Sequence, residues 1–150
     1  MLRSIPPPLW AALFLGATYW LGTALPFAQD LPEWRHKPAG AIIVAAGLAV
    51  LFASMGQFFF AKTQLLPNAP VNNTLVTGGV YAFTRNPMYL AMTLVCVGFA
   101  VWIGQPLMYL APVLMFVVAD WVFIPFEEAK MRRQFGDAFD AYCKRVRRWI

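Results

Sequence analysis

An all-α, polytopic integral membrane protein with four transmembrane helices is the fold this chain predicts, and three observations predict it. Hydrophobic residues fill 60% of its 150 positions and charged ones only 13%, too apolar for a soluble domain of this size. Apolar runs recur at residues 9–25, 39–61, 88–103 and 107–126, each near the roughly 20 residues that cross ~30 Å of hydrocarbon. The basic residues then sort to one side. With an even number of spans, Arg3, Lys62, Arg85 and the basic tail share a face with both termini, while the other face has Arg35 and Lys37 offset by Asp30 and Glu33. Both termini are therefore expected in the cytoplasm, the placement of a bacterial inner-membrane protein.

Residues 1–150 read as a single membrane domain: two spans in 1–61, a cytoplasmic loop and corner in 62–87, a helical hairpin in 88–126 and a cytoplasmic helix in 127–150. Span one follows Arg3 and precedes Ala28, as a secretory signal would, but its apolar run is long for one, and Pro6-Pro7-Pro8 before Leu9-Trp10 reads as an interfacial anchor. Gly16 and Gly22 let a neighbouring helix approach. The connection 26–38 mixes prolines, acids and Trp34; its His36, the one histidine, reads as solvated. Span two ends in Ser54, Gly56 and Gln57, and Gln57 in hydrocarbon needs a hydrogen-bond partner on another helix or a ligand. The loop 62–86 is long for a compact membrane protein and is a candidate cap over a pocket.

Residues 78–89, Gly-Gly-Val-Tyr-Ala-Phe-Thr-Arg-Asn-Pro-Met-Tyr, form a built corner. The glycines tolerate positive φ, and Pro87 sets the first helical turn while biasing Asn86 away from α geometry. A helix start there offers backbone N–H groups to a polar or anionic ligand, and Arg85 adds a fork for a carboxylate. The corner thus reads as half of a cofactor site. Spans three and four are joined by Gly104-Gln105-Pro106, so short a link that they must form an antiparallel hairpin returning to the corner.

Asp120 lies inside span four, where a carboxylate needs a cavity or a basic partner. It shares a helix face with Glu127 and Glu128, and Pro125 between them is expected to kink or end the helix. Residues 127–142 read as one amphipathic helix on the membrane surface, with Met131, Phe135, Ala138, Phe139 and Tyr142 on its apolar face and Lys130, Arg133, Asp137 and Asp140 elsewhere. Glu128 and Arg132 have the spacing of a helix-surface ion pair, and Gly136 is costly there unless something packs closely on it. The net charge of +5, concentrated in this tail, suits anionic headgroups; no motif supports nucleic-acid binding. Cys96 and Cys143 suggest no disulfide framework, and no His/Cys cluster has metal-ligand spacing.

The motifs Gly79-Val80-Tyr81, Arg85-Asn86-Pro87-Met88-Tyr89 and Glu127-Glu128, followed by Phe135-Gly136, Tyr142, Val146 and Arg148, resemble the isoprenylcysteine carboxyl methyltransferase and phospholipid methyltransferase superfamily. The resemblance runs from about Gln57 onward. It implies an integral membrane enzyme that transfers a methyl group from S-adenosylmethionine to a lipophilic acceptor, a carboxylate or amine of an isoprenoid or lipid-like molecule. By resemblance, Arg85, Asn86 and Glu127 would be catalytic, and Tyr81, Arg85, Asn86, Pro87, Tyr89, Glu127 and Glu128 would hold the cofactor; Arg132 is added on charge. Where the family usually has histidine this chain has Asn86, which excludes a titrating imidazole but keeps amide hydrogen bonding. Phe139 replaces a commoner tyrosine and Met131 a leucine. A non-catalytic membrane protein with packing-only polar residues, and a reductase-like relative with a nicotinamide cofactor, are the competing readings. Neither the acceptor nor the oligomeric state is legible.

Overall fold

A computed structural model describes residues 5–61 and 74–150, and the described residues are helical with no strand. Residues 62–73 of the loop 62–86 therefore lie outside the described residues. Helix α1 spans Pro7–Ala24, α2 Pro26–Gln29 and α3 Lys37–Phe60; a 3-10 turn at Gly79–Ala82 leads into α4, Pro87–Ile103. A second 3-10 turn, Pro106–Tyr109, opens α5, Leu110–Val118, which continues through a π turn, Ala119–Phe123, into α6, Ile124–Phe135; α7 is Asp137–Arg145. Pro7 and Pro87 sit in the first turns of α1 and α4, where a missing N–H costs nothing. His36 is more than a solvated residue: its Nδ1 accepts the Ala39 N–H at 3.2 Å and caps α3.

Helices α3 and α4 pack with their backbones almost touching. The buried residues of α3 are Gly40, Gly47 and Ser54, one every seventh position, the spacing that keeps a seam facing one partner. A Cβ on Gly40 would lie 2.7 Å from the Trp102 Cα, and one on Gly98 would lie 2.7 Å from the Val44 backbone nitrogen. Small residues at the contact let the two helices meet this closely.

At the far end from the corner, Gly104 takes a left-handed φ of 80° and turns α4 into the link that begins the hairpin. The segment before α3 straps this end. The Trp34 N–H donates to the Gly104 carbonyl at 2.9 Å, the Arg35 Nε to the Ile103 carbonyl at 2.8 Å, and the Tyr109 hydroxyl to the Trp34 carbonyl at 2.9 Å. The hairpin therefore returns α5 alongside α4, and α1 packs against both. The core forms where these three meet, around Tyr89, Met92, Cys96, Met115 and Phe123.

Pro125 does not end the helix: the wider π turn ahead of it gives the ring room where an α ladder would drive it into the Trp121 carbonyl, so residues 106–135 run on as one helical rod. Nor is 127–142 one helix. Gly136 adopts φ 49° and separates α6 from α7. Nothing packs on Gly136, so backbone conformation rather than close approach explains the glycine. The break changes the phase of the apolar face: Phe139 and Tyr142 are buried, while Ala138 is exposed.

Two helical runs, Lys37–Phe60 and Pro106–Phe135, are long and apolar enough to cross a membrane, and Pro87–Ile103 is apolar but shorter. Large apolar side chains stay on the outside of the bundle, among them Trp20, Ile42, Phe52 and Trp121 at 65%, 69%, 66% and 74% exposure. So apolar an exterior fits a membrane protein.

The α3–α4 contact yields a paired prediction. Gly98→Ala is expected to lower stability by about 1–3 kcal/mol through overpacking against backbone. Gly16→Ala, whose Cβ would meet nothing, is expected to leave stability unchanged or raise it by up to about 1 kcal/mol. Unfolding of both variants in the same detergent checks the contrast.

Candidate active site

The corner is held from both sides. Gln57 at the end of α3, with its amide oriented to satisfy both partners, donates to the Gly78 carbonyl at 3.1 Å and accepts the Val80 N–H at 3.2 Å. Its partner is thus the corner's backbone rather than a side chain of another helix. The Phe58 and Tyr81 rings lie 5.3 Å apart. From the other side the Tyr142 hydroxyl of α7 donates to the Tyr81 carbonyl at 2.6 Å. Burial pushes both phenols up, that of Tyr142 to about 12, so both stay neutral.

Residues 146–149 then fold back across the start of α4. The Arg85 N–H donates to the Arg147 carbonyl at 3.0 Å, and the Arg148 carbonyl accepts from the Thr84 hydroxyl at 3.1 Å and from Asn86 Nδ2 at 3.0 Å. The Asn86 N–H, expected to face a ligand, is taken by the Thr84 hydroxyl at 3.2 Å. Arg85 sends Nη1 to the Cys143 and Val146 carbonyls at 3.1 and 2.8 Å and Nη2 to Glu128 Oε1 at 2.9 Å.

Glu128 is gripped a second time. Arg148 reaches it with Nε at 3.1 Å and Nη2 at 2.7 Å, one nitrogen to each carboxylate oxygen. These bonds to Glu128 push the Arg148 pKa up from its ordinary value, so the guanidinium stays charged. Glu127 turns the other way and accepts the Tyr89 hydroxyl at 2.6 Å; the Tyr89 ring stacks on Phe123 at 5.9 Å.

Around these groups lies a cavity of about 410 Å³. Tyr81, Arg85, Asn86, Pro87, Tyr89, Glu127 and Glu128 all line it, so seven of the expected site residues are brought together. Arg132 is not among its walls. It pairs with Asp140 at 2.8 Å on the exposed side of α6 and α7 and lies 5.7 Å over the Phe139 ring. The expected Glu128–Arg132 surface pair does not form, because Arg85 and Arg148 already hold Glu128.

Sequence reasoning missed part of the lining. Leu51, Met55 and Phe58, at helical i, i+4 and i+7, present one face of α3 to the cavity, and Pro6, Pro7 and Pro8 close it from α1. Lys130, expected to point elsewhere, also lines it. The prolines carried a readable signal, since a rigid turn beside a helix start can serve as a wall as well as an anchor. Among the described residues no group of three or more His, Cys, Asp or Glu could hold a metal ion.

The geometry defines a helical protein whose pocket is apolar along α1, α3 and α4 and charged where α6 and α7 meet the corner. The chain belongs to the phospholipid methyltransferase family, whose sequence pattern matches residues 37–138. A probable protein-S-isoprenylcysteine O-methyltransferase of Oryza sativa subsp. japonica is 34% identical over 135 residues, covering 84% of this chain and 66% of the rice protein. The protein-S-isoprenylcysteine O-methyltransferase of Schizosaccharomyces pombe is 35% identical over 82 residues, covering 50% of this chain and 32% of that protein. An uncharacterized protein of Haemophilus influenzae is 32% identical over 63 residues, 42% of this chain and all of its own length. No solved structure matches.

The ion-pair geometry sets a stability contrast. Glu128→Ala leaves Arg85 without a carboxylate and Arg148 with Asp120 alone, and is expected to cost about 3 kcal/mol. Arg132→Ala removes an exposed ion pair and an exposed guanidinium over the Phe139 ring and is expected to leave unfolding nearly unchanged, which thermal unfolding of the two variants side by side will check.

Proposed function

We propose that this protein transfers a methyl group from S-adenosylmethionine to a lipophilic acceptor, a carboxylate or amine of an isoprenoid or lipid-like molecule. The observation that carries the reading is the cavity itself: one volume joins a charged end at the corner to an apolar end between the helices. Its size falls in the usual range for small-molecule pockets, about 300–1,000 Å³. Family membership and the names of the relatives support the same chemistry.

The residues suit this cofactor. Arg85 Nε is buried without a hydrogen-bond partner, a free donor for an anionic group. Glu127, whose Oε1 accepts the Tyr89 hydroxyl at the cavity wall, is the acceptor for ribose hydroxyls or an amino group, whereas Glu128 is consumed by its two arginines. Tyr81, Pro87 and Tyr89 add flat or apolar surface for a purine, and Asn86 is already fixed by its bond to the Arg148 carbonyl. Bound, the cofactor supplies an electrophilic methyl carbon on a sulfonium, so the protein needs no nucleophile of its own. Its task is to hold two reactants in line and keep water out. Leu51, Met55 and Met92 give the acceptor's apolar part a dry wall, and Glu127 is the carboxylate placed to accept a proton from an acceptor that must lose one.

In the membrane we place four spans, with α1, α3, α4 and the long rod from Pro106 crossing in turn and the corner, α7 and both termini in the cytoplasm, as the distribution of basic residues supports. Calorimetry with S-adenosylhomocysteine on detergent-solubilised protein tests the reading. Binding is expected for the wild type and at least about tenfold weaker binding for Glu127→Ala, the loss of one charge-assisted hydrogen bond. A wild-type protein that neither binds this compound nor transfers a labelled methyl group to lipid extract would end the proposal.

A further inference from the structure

Asp120 is a carboxylate on the rod ahead of α6 that the methyl-transfer reading does not use. It is not solitary. Its Oδ1 accepts Arg148 Nη1 at 3.3 Å and the Trp149 indole N–H at 3.0 Å. Trp149 in turn stacks on Phe116 with ring centroids 4.6 Å apart, and it packs against the core. The remaining nitrogens of Arg148 hold both oxygens of Glu128, and its carbonyl holds Thr84 and Asn86.

We infer that Asp120 is a positioning residue: through Arg148 and Trp149 it pins residues 146–149 across the corner, and through them it sets the Glu128 carboxylate and the Asn86 amide at the cavity wall. Arg148 is a planar fork with fixed bond directions, so a carboxylate on one side fixes where the other edge points. Arg85 alone touches only one Glu128 oxygen, and without Arg148 in register that carboxylate is free to rotate. Charge supports the same role. Two arginines face two carboxylates, and neutralising Asp120 leaves one positive charge in excess beside the pocket. The indole bond and the ring stack supply an anchor that no charge change in the cavity itself disturbs.

This inference rests on the methyl-transfer reading for its effect on binding, and the experiment separates the two. Asp120→Asn keeps an oxygen for the indole but removes the charge facing Arg148; Trp149→Phe keeps the stacked ring but removes the indole donor. Each variant is compared with wild type by hydrogen exchange of the Arg85 amide, which is bonded to the Arg147 carbonyl, and by calorimetry with S-adenosylhomocysteine. Asp120→Asn is expected to speed that exchange and weaken binding by roughly tenfold, a usual size for a coupled ion-pair network, with Asp120→Glu recovering part of the loss. Trp149→Phe is expected to act in the same direction more weakly, and it serves as the test should Asp120→Asn not fold. Faster exchange with unchanged binding would reduce Asp120 to a packing role, and weaker binding with unchanged exchange would refute the route through residues 146–149. If wild type binds nothing, the methyl-transfer reading falls, and the exchange measurement alone decides whether Asp120 holds residues 146–149 across the corner.

Discussion

One carboxylate shared by two guanidinium groups is the contact on which the site depends. Glu128 comes from the helix that leaves the hairpin, Arg85 from the corner and Arg148 from the segment that folds back over it, so the shared ion pair joins three parts of the chain at one point. Side-chain exposure of 13% for Arg85 and 14% for Glu128 puts that pair in a setting where the attraction is weakly screened and a missing partner is costly. The carbonyl acceptors on Cys143 and Val146 take the two donors of Arg85 Nη1, so backbone shares in satisfying the buried guanidinium.

The clamp also divides labour between neighbours. Glu127 and Glu128 are adjacent in sequence, yet one faces a phenol and the other two arginines. The first accepts a phenol at the cavity wall; the second is held by two guanidinium groups and shapes the polar end. Environment assigns different work to the two identical side chains. The apolar end is built differently, by helix faces whose mutual position depends on the glycine seam between α3 and α4.

The meeting of corner and glutamates was legible in the sequence because it follows from simple geometry: a three-residue link leaves two apolar helices no choice but to run antiparallel. Of the seam, the sequence shows Gly40 and Gly47 on span two but not the helix that they face. What escaped the sequence shares a physical character. Arg132 looked like Glu128's partner because spacing along a helix is visible in sequence, whereas Arg85 and Arg148 approach from far along the chain. An unbroken amphipathic period across residues 127–142 concealed a single backbone reversal at Gly136, and the π turn that accommodates Pro125 leaves no residue-type signature. Asp120 announced that it needed a partner without saying which.

The folded-back segment has a consequence for how the protein is made. Position 148 is later in the chain than every other group of the clamp, so the helices can be threaded into a bilayer and paired while the polar end of the cavity is still missing a wall. A nascent chain with all its hydrophobic segments in place would hold Glu128 by Arg85 alone. Closing the polar end of the cavity thus comes after synthesis of every helix that frames it, α7 included.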